Sequence, residues 1–235
     1  ISVNWKSSLG VEGQYYNYRE PNLMHLAGWM GGINADAVYS FTNNWFAGAE
    51  ARILWGKAHY SSYRTGKRAN SPQFLLEPRA LVGYNYHLND TSILSPYTGL
   101  GYRFKKDSEN GARTSTGHYS YHRQSHYLYL PLGLKYQKTL TSQLSLEIRG
   151  EYDQLLRGEQ HSDIYLSGKP YVDRQNSGFG AKTSFEVVKK LNNNRAISFG
   201  PYFHYWDIDD SEKSWNGYEP RNKTYEAGFS IKYRS

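Results

Sequence analysis

Along nearly the whole of this chain, apolar and polar residues trade places at every second position. In HYLYLPLGLKYQ, residues 126–137, Leu128, Leu130, Leu132, Leu134 and Tyr136 fall on one side of an extended backbone. Tyr127, Tyr129, Gly133, Lys135 and Gln137 fall on the other. Similar stretches lie near 8–19, 28–41, 45–60, 74–87, 93–105, 144–158, 177–189, 196–208 and 223–234, and no convincing helical period interrupts them. Most span about 11–15 residues, against about 5–6 for strands of soluble proteins and about 9–11 for a tilted strand that crosses a bilayer.

The connections carry a second pattern. Short ones (42–44, 88–92, 138–143, 191–196) take turns with longer ones (20–27, 61–73, 106–123, 159–176, 209–222). A meander closed into a barrel puts every short turn at one rim and every long loop at the other, with both termini at the short-turn rim.

An alternating barrel has two solutions: apolar inside and charged outside in water, or the reverse in lipid. Ala47, Ala49, Ala51, Ile53 and Trp55 oppose Gly48, Glu50 and Arg52; Leu144, Leu146, Ile148 and Tyr152 oppose Glu147, Arg149, Glu151 and Asp153. Ala and Leu are a thin filling for a barrel centre. Aromatic residues, which make up 16% of the chain with 23 Tyr and 6 Trp, gather at the ends of the apolar faces, as at Trp45 and Trp55 or Phe203 and Tyr205. Rings so placed suit the two interfaces of a bilayer. The pattern predicts an all-β, transmembrane, antiparallel up-and-down barrel of about ten strands. It would be a single domain over 1–235, with residues 1–7 as a short periplasmic tail.

The last strand, YEAGFSIKY (225–233), places Gly228, then Phe229, then alternating apolar residues ending on Tyr233, followed by Arg234 and Ser235. It resembles the C-terminal assembly signal of bacterial outer-membrane β-barrel proteins. That resemblance implies a Gram-negative outer-membrane location. No leader pattern is visible in the opening ISVNWKSS, so it also implies a chain already processed. Architecture of this kind does not by itself imply an activity.

Two groups of residues are candidates for function. The polar faces carry Glu50, Arg52, Glu77, Arg79, Arg103, Lys135, Glu147, Arg149, Glu151 and Lys182. Packed into a barrel of about ten strands, these charges must pair with one another or hold water. They are expected to fill the lumen as a salt-bridge network; the alternative is a narrow channel for small polar or anionic solutes. The long loops carry Lys57, Arg64, Lys67, Arg68, Lys106, Arg113 and Arg123 beside several Tyr, a chemistry suited to anionic glycans or to the phosphates of lipopolysaccharide.

The formal charge of +7 is in keeping with acidic partners, but no nucleic-acid-binding motif accompanies it. The expected function is therefore surface attachment or lipopolysaccharide contact by a monomer that is not an enzyme.

A rim hydrolase is the third reading. HYWDIDD brings His204, Asp207, Asp209 and Asp210 near a loop end, similar in kind to the acidic and His residues of omptin-type surface proteases. GHYSYHRQSH offers Ser120, His122, Ser125 and His126, as in lipid-modifying barrel hydrolases, though no nucleophile elbow surrounds them. No cofactor is expected. The absence of Cys excludes a disulfide framework and a thiolate metal site, and His118, His122 and His126 on a strand stand too far apart to share one ion.

Overall fold

The computed structural model describes residues 4–108, 111–163, 171–191, 194–213 and 218–235, and contains no helix among them. Twelve strands form one antiparallel sheet: β1 (Trp5–Glu20), β2 (Met24–Ser40), β3 (Trp45–Ser62), β4 (Gly66–Tyr84), β5 (Tyr86–Asn89), β6 (Ser92–Asp107), β7 (His122–Thr139), β8 (Leu144–Asp163), β9 (Tyr171–Gln175), β10 (Gly178–Lys190), β11 (Ala196–Ile208) and β12 (Asn222–Arg234). Both β4 and β5 pair with β6, and both β9 and β10 pair with β8, so the twelve strands make ten staves. The first and last strands pair from Ser8 opposite Arg234 to Arg19 opposite Lys223, which closes the barrel.

Strand boundaries differ from the sequence expectation at both rims. Residues 1–3 of the expected N-terminal tail lie outside the described residues, and β1 already begins at Trp5. Backbone bonds of 3.0 and 2.9 Å tie Ser7 to Ser235. At the other rim, the long loop expected over 61–73 is mostly strand. β3 and β4 stay paired up to Ser62 opposite Gly66, leaving a tip at 63–65, with one irregularity between Ala58 and Tyr60. Part of the loop expected over 159–176 likewise pairs, as β8 with β9.

The apolar faces point outward, with Trp29 70% and Leu9 62% exposed to the surroundings. On each of β1 to β4, two outward rings stand ten positions apart: Trp5 and Tyr15, Trp29 and Tyr39, Trp45 and Trp55, Phe74 and Tyr84. Ten residues at about 3.4 Å each, tilted about 40°, rise about 26 Å, the height of an outer-membrane apolar band.

The rings touch laterally. At the short-turn side, Trp5 meets Tyr39 at 5.3 Å, Tyr39 meets Phe41 at 4.9 Å and Trp45 meets Tyr84 at 5.5 Å. At the other interface a chain runs Tyr15–Trp29, Trp55–Phe74–Phe104, and Tyr152–Phe179–Tyr205–Tyr225. These are the two girdles that the sequence suggests.

Inside, several rings lie flat over inward glycines of the next strand. A Cβ on Gly133 would lie 2.0 Å from Tyr97 Cζ, and one on Gly101 would lie 2.2 Å from Tyr129 Cζ. The absent side chain is what lets each ring lie against the wall.

Candidate functional site: the lumen and its mouth

All ten of the polar-face residues singled out in the sequence turn into the barrel, and nine of them form ion pairs there. Arg52 on β3 reaches Glu77 at 2.9 Å, Glu12 at 3.3 Å and Glu226 at 2.5 Å. Arg103 binds the same Glu226 and stands 3.4 Å from Glu77. Lys182 on β10 lies 2.7 Å from Glu77, 3.6 Å from Glu151 and 3.4 Å from Asp153.

Nearer the short-turn rim, Glu50 takes Arg79 at 2.6 Å and Arg149 at 2.8 Å, while Arg79 also binds Glu151. Glu147 receives Arg234, which holds Glu186 at 2.6 Å as well. Lys135 sits over the Phe46 ring at 5.6 Å. The Arg234 that follows the last aromatic of β12 is therefore part of the network. Glu226, which the sequence showed only as one polar position of the last strand, is one of its centres.

The sequence reading missed the apolar part of the filling. Tyr127, Tyr129, Leu155, Trp206 and Ile208 form one buried cluster within the barrel; Tyr16, Leu26, Met30, Leu54 and Leu75 belong to another. Tyr129 joins the two kinds of filling: its hydroxyl donates to Glu77 at 2.6 Å, its ring meets Trp206 at 5.1 Å, and the Lys182 ammonium lies over it at 4.7 Å. Alternation alone marks Tyr127 and Tyr129 as inward, but it does not say that they meet Trp206 of a distant strand.

Two cavities flank this filling. One, of about 120 Å3, lies among Glu12, Asp36, Glu50, Arg79, Glu186 and Lys232. The other, of about 240 Å3, lies at the long-loop mouth among Glu20, Met24, Tyr60, Ser71, Tyr121 and Arg123. They share no wall residue. Between Glu12 and Glu20 on β1 stand Gln14, Tyr16 and Tyr18; between Arg52 and Tyr60 on β3 stand Leu54 and Ala58; between Glu77 and Gln73 on β4 stands Leu75. All of these intervening side chains are buried, so side chains fill the lumen at that level.

The basic residues expected in loops do not form one patch. Lys57 lies within β3 and Lys106 within β6, each two positions beyond a ring of the upper girdle (Trp55 and Phe104) and on the same outward face. Lys67 and Arg68 belong to β4, where Lys67 is exposed and Arg68 stands opposite Tyr60. Arg64 is exposed at the 63–65 tip. Arg113 stacks on Tyr119 at 4.6 Å.

Arg123 requires the largest correction. It sits on β7 facing inward, donates to Glu20 at 2.6 Å and also binds Glu219, and so ties the segment before β12 to the top of β1. Burial pushes the Glu219 acid up to about 7; Arg123 opposes that shift and the neighbouring Glu20 carboxylate adds to it.

The catalytic sets considered from sequence do not converge. His204 faces the lumen, with Nδ1 3.3 Å from Glu226, whereas Asp207 is on the other face of β11 and binds Arg221 and Tyr205. Ser125 donates inward to Gln160, while His126 faces out beside Tyr102. His118 bonds Thr116 in the mouth loop. Among the described residues there is no metal-binding group of His and acid side chains.

The chain is a closed antiparallel barrel of ten staves, lined by charge and belted by rings: the fold of a Gram-negative outer-membrane β-barrel. No protein-family model matches the sequence, and no curated protein matches it. Among solved structures, the outer-membrane protease OmpT from Escherichia coli is similar over 98% of this chain and 96% of its own, with a TM-score of 0.69 at 10% identity. The translocator domain of the autotransporter NalP from Neisseria meningitidis matches over 98% and 88% with a TM-score of 0.48 at 9% identity. The toluene transporter TbuX from Ralstonia pickettii matches over 100% and 90% with a TM-score of 0.40 at 10% identity. At 10% identity, the likeness to OmpT is one of fold.

Proposed function

We propose that this chain is an integral protein of the bacterial outer membrane that does not conduct solutes and works at its long-loop end, in attachment to surface ligands. The observation that carries this reading is the buried layer of Tyr16, Leu54, Leu75, Tyr129 and Trp206 between the two cavities. Side chains at that level support a closed lumen, and the cavity at the far rim supports the long-loop end as the place of work. Purified protein in a planar bilayer should show no steady current. Open events that shift when Arg79 or Arg149 is neutralised would instead establish the channel reading.

Lys57 and Lys106 support a second role at the same end. An ammonium two positions above an interfacial ring is at headgroup height, where the phosphates of lipopolysaccharide lie. Binding of phosphorylated lipid A should fall when both are changed to Ala, and fall further with added salt. Equal binding by the double variant would remove lipopolysaccharide contact from the proposal.

A further inference from the structure

The mouth cavity has the chemistry of a site rather than of a gap. Leu23, Met24 and Leu26 give it apolar surface, Tyr60 and Tyr121 give it rings, and its volume is about 240 Å3. A cavity of about 150 Å3 holds benzene, so this one has room for a six-membered ring and its substituents. Its roof is pinned in place. In the 111–121 segment, Ser115 N donates to Lys67 O at 2.9 Å, Lys67 N donates to Ser115 Oγ at 2.9 Å, and Thr116 Oγ1 donates to Thr65 O at 2.8 Å.

Two features define what would occupy it. Ser71 and Gln73 are 1% and 3% exposed, yet Ser71 Oγ and Gln73 Oε1 have no hydrogen-bond partner among the described residues. Buried polar atoms are costly unless something bonds them, and these two border the cavity. The charges around them are already met, Arg123 by Glu20 and Glu219 and Lys105 by Asp107, although Arg123 Nε is left without a hydrogen-bond partner among the described residues. Among the described Lys and Arg residues of the wall, Arg64 is the exposed one, and it stands at the outer tip. An occupant must therefore bond a hydroxyl, an amide oxygen and the Arg123 Nε–H, place an apolar face on rings and aliphatic side chains, and bring no charge, since two carboxylates already meet that guanidinium.

We propose that this vestibule binds a neutral hexopyranose unit, its ring face against Tyr60 or Tyr121 and its hydroxyls on Ser71 and Gln73. The proposal rests on the reading of the mouth as the working end, and it replaces the anionic ligand expected from the basic loops. The sugar is either the end of a surface glycan or a free saccharide, since both present the same ring.

The test uses the full chain refolded in an amine-oxide detergent, which carries no sugar headgroup to compete. Methyl glucopyranoside, galactopyranoside and mannopyranoside, a sulfated galactoside and neutral oligosaccharides ending in each sugar are titrated by calorimetry. At least one neutral methyl glycoside should bind saturably, and Ser71→Ala and Gln73→Met should each weaken it about five- to tenfold, the effect of losing one hydrogen bond. Heat-resistant compact migration on a gel checks that each variant is folded.

Tighter binding of an oligosaccharide than of its methyl glycoside assigns the site to glycan ends, and equal binding assigns it to free sugars. The proposal is overturned if no neutral glycoside binds, if folded Gln73→Met binds like the parent, or if only the sulfated sugar binds. Current measured on the same preparation keeps the two readings apart, because a conducting barrel would sink the closed-lumen proposal and leave the sugar result standing.

Discussion

The Lys182 ammonium on β10 lies 2.7 Å from the Glu77 carboxylate on β4, across the lumen, with β6, β7 and β8 between their strands along the wall. Glu77 also accepts from Arg52 Nε at 2.9 Å and from the Tyr129 hydroxyl at 2.6 Å. Contacts of this kind brace the wall from within. Removing one member of a buried ionic group leaves the others uncompensated, which costs about 3–5 kcal/mol. Glu77→Ala should lower stability by that order in denaturant titrations of the refolded barrel. The pair Glu77→Ala with Lys182→Met should lose less than Glu77→Ala alone; a larger, additive loss would mean that the two groups are not coupled.

The rings over glycines make a separate prediction. Gly133→Ala sets a methyl against Tyr97 Cζ and should destabilise the barrel by about 1–3 kcal/mol, the usual cost of overpacking. In a Tyr97→Ala background the same change should cost much less. If the cost is equal in both backgrounds, backbone freedom rather than ring packing explains the glycine.

The proposed closure of the lumen can be tested by undoing it. Tyr129→Ala with Trp206→Ala removes the two rings that meet above Glu77 and Lys182. The double variant should pass steady current in a planar bilayer where the parent does not. A silent, folded double variant would mean that the ionic network closes the path without the rings.

The Arg123 clasp predicts a dependence on acidity. Burial raises the folded-state acid of Glu219 from its ordinary 4.5 to about 7, so its charged form is disfavoured in the folded chain. Its contribution to stability is full below about 4.5 and is lost as pH rises towards 7. The backbone bond from Ser211 N to Glu219 O, 2.9 Å long, should thus be better protected from hydrogen exchange at pH 5 than at pH 8, after correction for intrinsic rates. Glu219→Gln should flatten the difference, and a slope of the opposite sign would contradict the assignment.

Much of this architecture was legible beforehand because each strand from girdle to girdle separates two solvents, lipid and a polar lumen, so that alternate positions obey different rules. Leu128, Leu130, Leu132 and Leu134 declare that separation. Beyond the upper ring the separation ends. Tyr63, Arg64 and Lys67 are water-exposed, and KAHYSSYRTGKRANSPQ therefore reads as loop although its backbone pairs up to Gly66.

The partners of Arg123 were illegible for another reason. A cation in a Tyr-rich loop sequence looks available, and only folding brings Glu219, 96 positions away, against it. The same limit hid Trp206 behind Tyr129. Periodicity assigns a side chain to a face, but contact across a lumen depends on the stagger of ten staves.

The seam between β1 and β12 sets the order in which this molecule can come into being. Every other neighbouring pair of staves joins segments close in the chain, which can zip as they emerge. The pairing of Ser8 with Arg234 waits for β12, and until that strand docks β1 keeps an open edge of unpaired backbone groups. The polar network waits with it, because Glu226 and Arg234, on which Arg52, Arg103 and Glu147 depend, also belong to the final strand. Completion of the wall and neutralisation of the interior are thus a single event, governed by the thirteen residues of β12.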